Sequence, residues 1–389
     1  MPAKTKQSET QKIPKLRFAG FCGEWEEKKL GKILDYEQPT NYIVENTEYS
    51  NDYNIPVLTA GKTFILGYTN ETNGVFEVDN LPVIIFDDFT TAQQFVNFPF
   101  KVKSSAMKIL KNKNKEVSDI RFIFSAMQRI RFGLGEEHKR FWISEYSKIK
   151  IPFPSLPEQQ KIAGFLGVVD EWIENLRGQK ESLESYKKGM MQKIFSQEVR
   201  FRDDKGNDFA KWEEKRLGEV VNNIGGTTLE KFVSEDGDYN FISIGNYSTD
   251  GKYVDNGQRI ILNEKTKSRL LEKNNLVMVL NDKTASGDLI GSTILINKNN
   301  KFIYNQRSER IICKKSFDPL FAWHFLNSLK FRKSIFSISQ GGTQIYVNFP
   351  SVKKIKIKIP KNIEEQQKIA NFLTSIDNLI NSKQQQITQ

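Results

Sequence analysis

Two stretches of the chain repeat apolar residues every seven positions. In the first, Ile162, Val169, Leu176, Leu183 and Met190 recur, and Phe165, Trp172, Ile173, Tyr186 and Ile194 fill the alternate positions. In the second, Ile369 and Ile376 recur with Phe372, Leu373, Leu379, Ile380 and Ile387 beside them, and Lys383 takes the next place in the series. Sustained heptads predict helices that share a coiled-coil seam, not lone surface helices. The expected packing positions are Ile162, Phe165, Val169, Ile173, Leu176 and Leu183 in the first helix, and Ile369, Phe372, Ile376 and Leu379 in the second. The first helix, from 158 to 196, would run about 58 Å at 1.5 Å per residue, and Pro157 stands near its start, where proline is tolerated.

Both helices open on the same words. EQQKIA occupies 158–163 and 365–370, and the match continues to Asp170 and Asp377 at a constant offset of 207. Each copy follows a strand-like KIKIP, at 148–152 and 356–360, and WEEKKLG at 25–31 is matched by WEEKRLG at 212–218. In KIKIP the isoleucines fall on one strand face and Lys148 and Lys150, or Lys354, Lys356 and Lys358, on the other, with Pro152 and Pro360 expected to end the strands. A fixed internal repeat decides the architecture. It divides the chain into a flexible tail 1–15, a globular domain 16–157, a helical region 158–196, a second globular domain 197–363 and a short helical region 364–389. Residue 389 corresponds to Ser182, so the second helix has no counterpart of 183–196; it is a short second arm or the end of a truncated product.

The globular parts repeat more faintly. PVIIFDDFT (82–90) aligns with LVMVLNDKT (276–284), a continuous apolar run that suits a strand covered on both faces, followed by an acidic turn. DIRFIFSAMQRIRF (119–132) aligns with DPLFAWHFLNSLKF (318–331), a helix with Asp119 or Asp318 at its N-terminus. The fold class is therefore α/β (α+β): two globular domains in tandem, separated by two long helices packed as an antiparallel coiled coil, with a pseudo-two-fold internal repeat. Such a rod with a globular part at each end would present two separated half-site readers to DNA, whose own symmetry is two-fold.

Charge sharpens this. The chain carries a formal net charge of +11. Residues 16–100 carry −8 and 101–140 carry +7; the second globular part, 197–363, carries +9, and 329–361 hold eight basic side chains and no acidic one. Clustered positive charge suggests a polyanion, most often nucleic acid, although a solvated lysine-rich surface reads the same way. No apolar run approaches the length of a membrane span, and the N-terminus lacks the apolar core of a secretory signal. Cys22 and Cys313 share no ligand spacing and read as ordinary reduced thiols of a cytoplasmic protein.

The search for catalysis comes back nearly empty. There is no phosphate-binding P-loop and no NPP-type methylation element; FGLGE (132–136) lacks the strand a dinucleotide loop needs. His138 and His324 stand alone, and a structural role is expected for each. Asp87 and Asp88 end a strand, as a nuclease carboxylate would, but Lys101 and Lys103 follow with no second carboxylate, so turn chemistry is the expected reading. No metal site is expected. Polar side chains on loops beside basic surface are the better candidates for contacts with DNA. These are Thr90, Thr91, Gln93, Gln94, Arg129 and Arg131 in the first domain. In the second they are Asn281, Lys283, Thr284, Ser286, Arg332 and Lys333, then Thr343, Gln344 and Tyr346 on a Gly-Gly turn, with Lys354, Lys356 and Lys358 for phosphates.

With the doubled EQQKIA helix and the DDFTT turn followed by SSAMKIL (104–110), the chain resembles the specificity subunits of type I restriction–modification systems from about Leu16 to its end. The resemblance implies two target-recognition domains separated by two conserved helical regions, and a sequence-specific DNA-binding subunit that is not an enzyme by itself. It implies a bipartite double-stranded DNA target and recruitment of two methyltransferase (M) subunits and two ATP-driven restriction (R) subunits. S-adenosylmethionine, ATP and Mg²⁺ would belong to those partners and none to this chain. The competing readings are a single-chain methyltransferase or nuclease with an unrecognised motif, and a coiled-coil adaptor that binds no DNA.

Overall fold

A computed structural model describes residues 13–60, 63–132 and 140–389. The chain forms two compact units, Met1–Glu174 and Asn175–Gln389, and the boundary falls inside the long helix Leu156–Phe195. Of the expected tail, only Ile13 to Lys15 lie among the described residues.

The first unit is built on a four-stranded antiparallel sheet in the order Leu34–Glu37, Met107–Asn112, Val83–Asp87, Gln93–Val96. Val83–Asp87 is internal, and every residue in it is buried. Its alternation sends Ile84 and Phe86 into one core with the helix Ile120–Met127, Trp142 and Tyr146. Val83 and Ile85 enter a second core on the opposite face, with Phe76, Phe100 and Val102. A three-stranded sheet adjoins, in the order Ile65–Thr69, Ile55–Leu58, Lys101–Val102, the last pair parallel.

The second unit repeats this plan strand for strand. Its four-stranded sheet runs Val221–Gly225, Ser308–Cys313, Leu276–Val279, Thr293–Leu295. Its three-stranded sheet runs Arg259–Ile260, Tyr239–Ile242, Phe302–Tyr304, again with one parallel pair. Leu276 and Met278 face one core, Val277 and Val279 the other. A strand buried on both faces thus explains both continuous apolar runs.

A short ribbon closes each unit: Glu26–Lys29 pairs with Lys150–Phe153, and Glu213–Arg216 with Lys356–Ile359. The repeated WEEK and KIKIP words are these ribbons. Three expectations change here, the first being that Lys148 ends the short 3-10 helix Tyr146–Lys148 and does not share the strand face with Lys150. Pro152 lies inside its strand instead of ending it, because a two-stranded ribbon leaves one edge unpaired. Lys354 sits in a turn ahead of Lys356–Ile359, not on the strand face with Lys356 and Lys358.

The start of each long helix is locked to its unit by the first two residues of EQQKIA. Glu158 accepts from Arg17 through both oxygens, at 2.7 Å each, and from the Trp25 indole at 3.2 Å. Glu365 accepts from Arg200 at 2.9–3.1 Å and from the Trp212 indole at 3.0 Å. Gln159 accepts from the Asp119 amide and donates to the carbonyls of Pro154 and Val117. Gln366 accepts from the Asp318 amide and donates to those of Pro360 and Ser316. Asp119 and Asp318 in turn cap the helices Ile120–Met127 and Pro319–Leu326, as expected. The two arginines belong to a faint repeat, Arg17-Phe18 and Arg200-Phe201, and each phenylalanine meets its long helix edge-on, at Phe165 (5.7 Å) and Phe372 (5.6 Å).

The second long helix, Ile363–Thr388, buries Ile369, Leu373, Ile376 and Ile380 within the second unit. Leu176 is buried, while Ile162, Val169, Ile173, Leu183 and Phe372 are half-buried. Phe165 and Leu379 are more than half exposed (55% and 52%), so neither is an inward seam position within the chain. The apolar series is broader than the buried stripe, which is a common outcome when one helix must meet more than one neighbour. No helix among the described residues is long and apolar enough to cross a membrane.

Replacing Glu365 by alanine would strand the Arg200 guanidinium and the Trp212 N–H together. Breaking a buried pair typically costs about 3–5 kcal/mol, and Arg200 is a quarter exposed, so a loss of about 3 kcal/mol is expected. Urea unfolding followed by tryptophan fluorescence measures it; an unchanged midpoint would mean the clamp adds nothing.

Candidate nucleic-acid interface

In the second unit the chain brings two distant polar segments together. Asn281–Asp282 pairs antiparallel with Ile345–Tyr346, and Val347 donates to the Leu280 carbonyl. The loop that follows Asp282 therefore stands beside the turn 340–346, closed by reciprocal amide bonds between Gln340 and Tyr346. Lys283, Thr284, Ser286, Thr343, Gln344 and Tyr346 are all exposed there, and Asn281 is half-buried.

The first loop is held from inside. Asp282 is buried (2% exposed) and accepts from the Thr284 amide and hydroxyl and from the Leu289 amide, at 2.7–2.9 Å. Ser286 meets Thr284 at 3.0 Å and donates to Asp288. Gly287 has φ +64°, and a Cβ there would come within 2.8 Å of the Phe336 ring. Arg332, on the helix Leu329–Ser337, donates to the carbonyls of Ile290 (2.7 Å), Asp288 (2.5 Å) and Thr249 (3.3 Å). Arg332, expected at DNA, is thus turned toward the backbone of its own unit. Burial lowers its pKa below the ordinary arginine value. Three of its five N–H donors thus position the loop. Lys333, one residue on, is exposed.

The corresponding turn of the first unit is built by the same chemistry. Asp87 accepts from the amides of Phe89 and Thr90 and from the Thr90 hydroxyl at 2.6 Å. Thr91 adopts φ +59°, a left-handed conformation unusual for a β-branched residue. Asp88 is buried, accepts from the Trp142 amide at 2.9 Å and lies 3.5 Å from the buried Lys108 ammonium, whose pKa is lowered chiefly by burial. Both carboxylates are thus committed to turn and core, the chemistry expected of them. Gln93, also expected at DNA, has its amide donating inward to the Met127 carbonyl and the Tyr146 hydroxyl. By that bond the turn is tied to the end of the helix that leads into Arg129 and Arg131, both exposed, as are Thr90 and Gln94. Phe89, at the tip and 42% exposed, was not singled out from the sequence, because only its hydroxyl and amide neighbours suggested base contacts.

The charge pattern also resolves differently from its reading along the chain. Lys101 pairs with Glu71, Lys108 with Asp88, Lys111 with Glu37 and Lys113 with Asp35. The acidic stretch 16–100 and the basic stretch 101–140 therefore meet in these four ion pairs inside the first unit. In the second unit Lys356 pairs with Glu214 at 2.8 Å across the ribbon, and both Lys356 and Lys358 are exposed. His324 is buried, pushed down to about 3 by burial and so neutral, with Nε2 3.0 Å from the Thr374 hydroxyl. His138 and most of FGLGE lie outside the described residues. Among the described residues no cluster of three His, Cys, Asp or Glu could hold a metal ion.

The family profile described as type I restriction modification DNA specificity domain matches the chain twice, at residues 23–185 and 210–389. The chain belongs to that family. It is 33% identical over 397 residues to a type I restriction enzyme specificity subunit of Escherichia coli, covering 96% of this chain and 91% of the relative. A specificity subunit of Methanocaldococcus jannaschii is 29% identical over 404 residues, covering 96% and 88%. The crystal structure of a type I restriction–modification S subunit from M. genitalium shares the fold, with a TM-score of 0.65 at 17% identity over 96% of this chain and 95% of that one. Members of this family are specificity subunits, non-catalytic in themselves and without a catalytic cofactor of their own.

Truncating the loop support tests the placement of Arg332. Arg332→Gln should lower stability by about 2 kcal/mol, the usual worth of hydrogen bonds from a charged donor. It should leave the salt dependence of duplex binding unchanged. A flattened salt dependence in a duplex-binding titration would instead make Arg332 a phosphate contact.

Proposed function

We propose that this chain is the DNA-reading subunit of a type I restriction–modification assembly and that each unit reads one half of a split double-stranded target. The observation that carries the reading is the duplicated scaffold. Strand order, the single parallel pair, the closing ribbon and the Arg–Glu–Trp clamp repeat, while the loops at 87–94 and 281–289 differ in sequence on the same supporting chemistry. One scaffold carrying different loops is what two different half-sites require. Base contacts fall to Thr90, Gln94, Lys283, Thr284, Ser286, Thr343, Gln344 and Tyr346, with Arg129, Arg131, Lys333, Lys354 and Lys358 beside them.

The two long helices serve as spacer and as docking surface for methyltransferase and restriction subunits in the cytoplasm. S-adenosylmethionine, ATP and Mg²⁺ act on those partners. Within this reading the distal part of the first helix and the second helix run antiparallel. Lys187 reaches both oxygens of Asp377 at 2.7 Å, and Ile194 shares a core with Ile369 and Leu373.

Exchanging residues 219–357 for those of a relative should change one half of the methylated motif and leave the other, as long-read methylation mapping would show. If both halves change together, the units do not read independently. For the helices, spin labels at 181 and 384 should lie at the range of packed helices, whose axes are roughly 8–10 Å apart. Labels at 181 and 371 should sit roughly 20 Å further along the axis. The reverse order would make the helices parallel.

A further inference from the structure

We propose that a cleft in the second unit grips the phosphates of the DNA strand that flanks the bases read by the same unit. The inference rests on the function proposed above and adds a site to it. The cleft has a volume of about 850 Å³ and lies between the first long helix and the start of the helix Leu329–Ser337. Its acidic lining is Glu184, Asp250 and Asp377, and each has its own cation: Lys180 at 3.5 Å, Lys252 at 2.8 Å and Lys187 at 2.7 Å. His324 on its wall is neutral. What remains is Lys188, Lys330 and Lys333, all exposed on the same cleft and, among the described residues, with no carboxylate within 4 Å. Three uncompensated ammonium groups around one concavity make a site for a polyanion, since each phosphate they neutralise releases counterions.

The loop support identifies which polyanion. Lys330 and Lys333 share a helix with Arg332, and Arg332 bonds on one side to the reading loop at Asp288 and Ile290 and on the other to Thr249 of the cleft wall. One rigid helix therefore carries the support for base readout and two of the three free lysines. Contacts to backbone fix register while loops read bases, and a common element holding both is the arrangement that division of labour needs. Lys188 adds a contribution from the long helix, which the basic stretch 329–361 does not include. Lys356 lies on the ribbon, away from the cleft lining, and pairs with Glu214.

The test compares the full chain, purified with the subunits it assembles with, to Lys188→Gln, Lys330→Gln, Lys333→Gln and the triple variant. Each is titrated across salt concentrations against a short duplex carrying the mapped target and a random duplex of equal length. The slope of log affinity against log salt should fall by about one unit per lysine, and by two to three in the triple variant. Affinity for both duplexes should drop by the same factor, and the methylated motif should not change. An unchanged slope would overturn the site and leave the lysines as solvated surface. A changed motif would overturn it by making them base readers. Wild-type slope with loss of a partner subunit on size exclusion would overturn it in favour of an acidic protein surface. Absence of any preference for the target over random duplex in the wild type would strike the proposed function instead. Unaltered thermal unfolding of the variants checks that the fold is intact.

Discussion

The structure depends on a buried carboxylate at the first turn of each long helix. Glu158 and Glu365 are 2% and 0% exposed, and each is held by an arginine and an indole N–H that come from a segment far away in sequence. A charge removed from water is tolerated only with such compensation. That requirement forces the segment before the ribbon, the ribbon and the helix into one arrangement. The glutamine beside it, buried and fully committed, then fixes the cap of the next helix through Asp119 or Asp318. Four words of the sequence that look like separate repeats are thus one interlocked device, used twice.

On that frame the loops are free to differ. The turn after each central strand is organised by one aspartate, Asp87 or Asp282, whose carboxylate satisfies the amides of the turn and leaves neighbouring side chains facing outward. Such turns can exchange their outward residues at little cost to the core, because the hydrogen bonds that shape them come from the aspartate and the backbone. Stability resides in the strands and the clamp, and under the proposed function recognition falls to the loops.

Charge shows why linear reading misleads. In the first unit, strand pairing sets Met107–Asn112 beside Leu34–Glu37 and Val83–Asp87, so lysines of a basic stretch meet carboxylates of an acidic one. In the second unit the acidic groups around the cleft are matched one by one, and the surplus is carried by three lysines from two elements. Net charge along the chain suggested a polyanion; only pairing in space shows which cations are left for it.

Much of the architecture was legible beforehand. The tandem repeat, the doubly covered central strands, the capped helices and the long helices are local patterns, and local patterns are written in period and spacing. Tertiary structure decided what depends on neighbours distant in sequence. It turned Gln93 and Arg332 inward, because a backbone carbonyl within reach satisfies a polar group as well as DNA would. It left Phe165 and Leu379 exposed despite their place in a heptad, because a repeat names a face and not the partner that covers it. It also joined 281–286 to 340–346, since strand pairing between segments some sixty residues apart leaves no periodic trace in either.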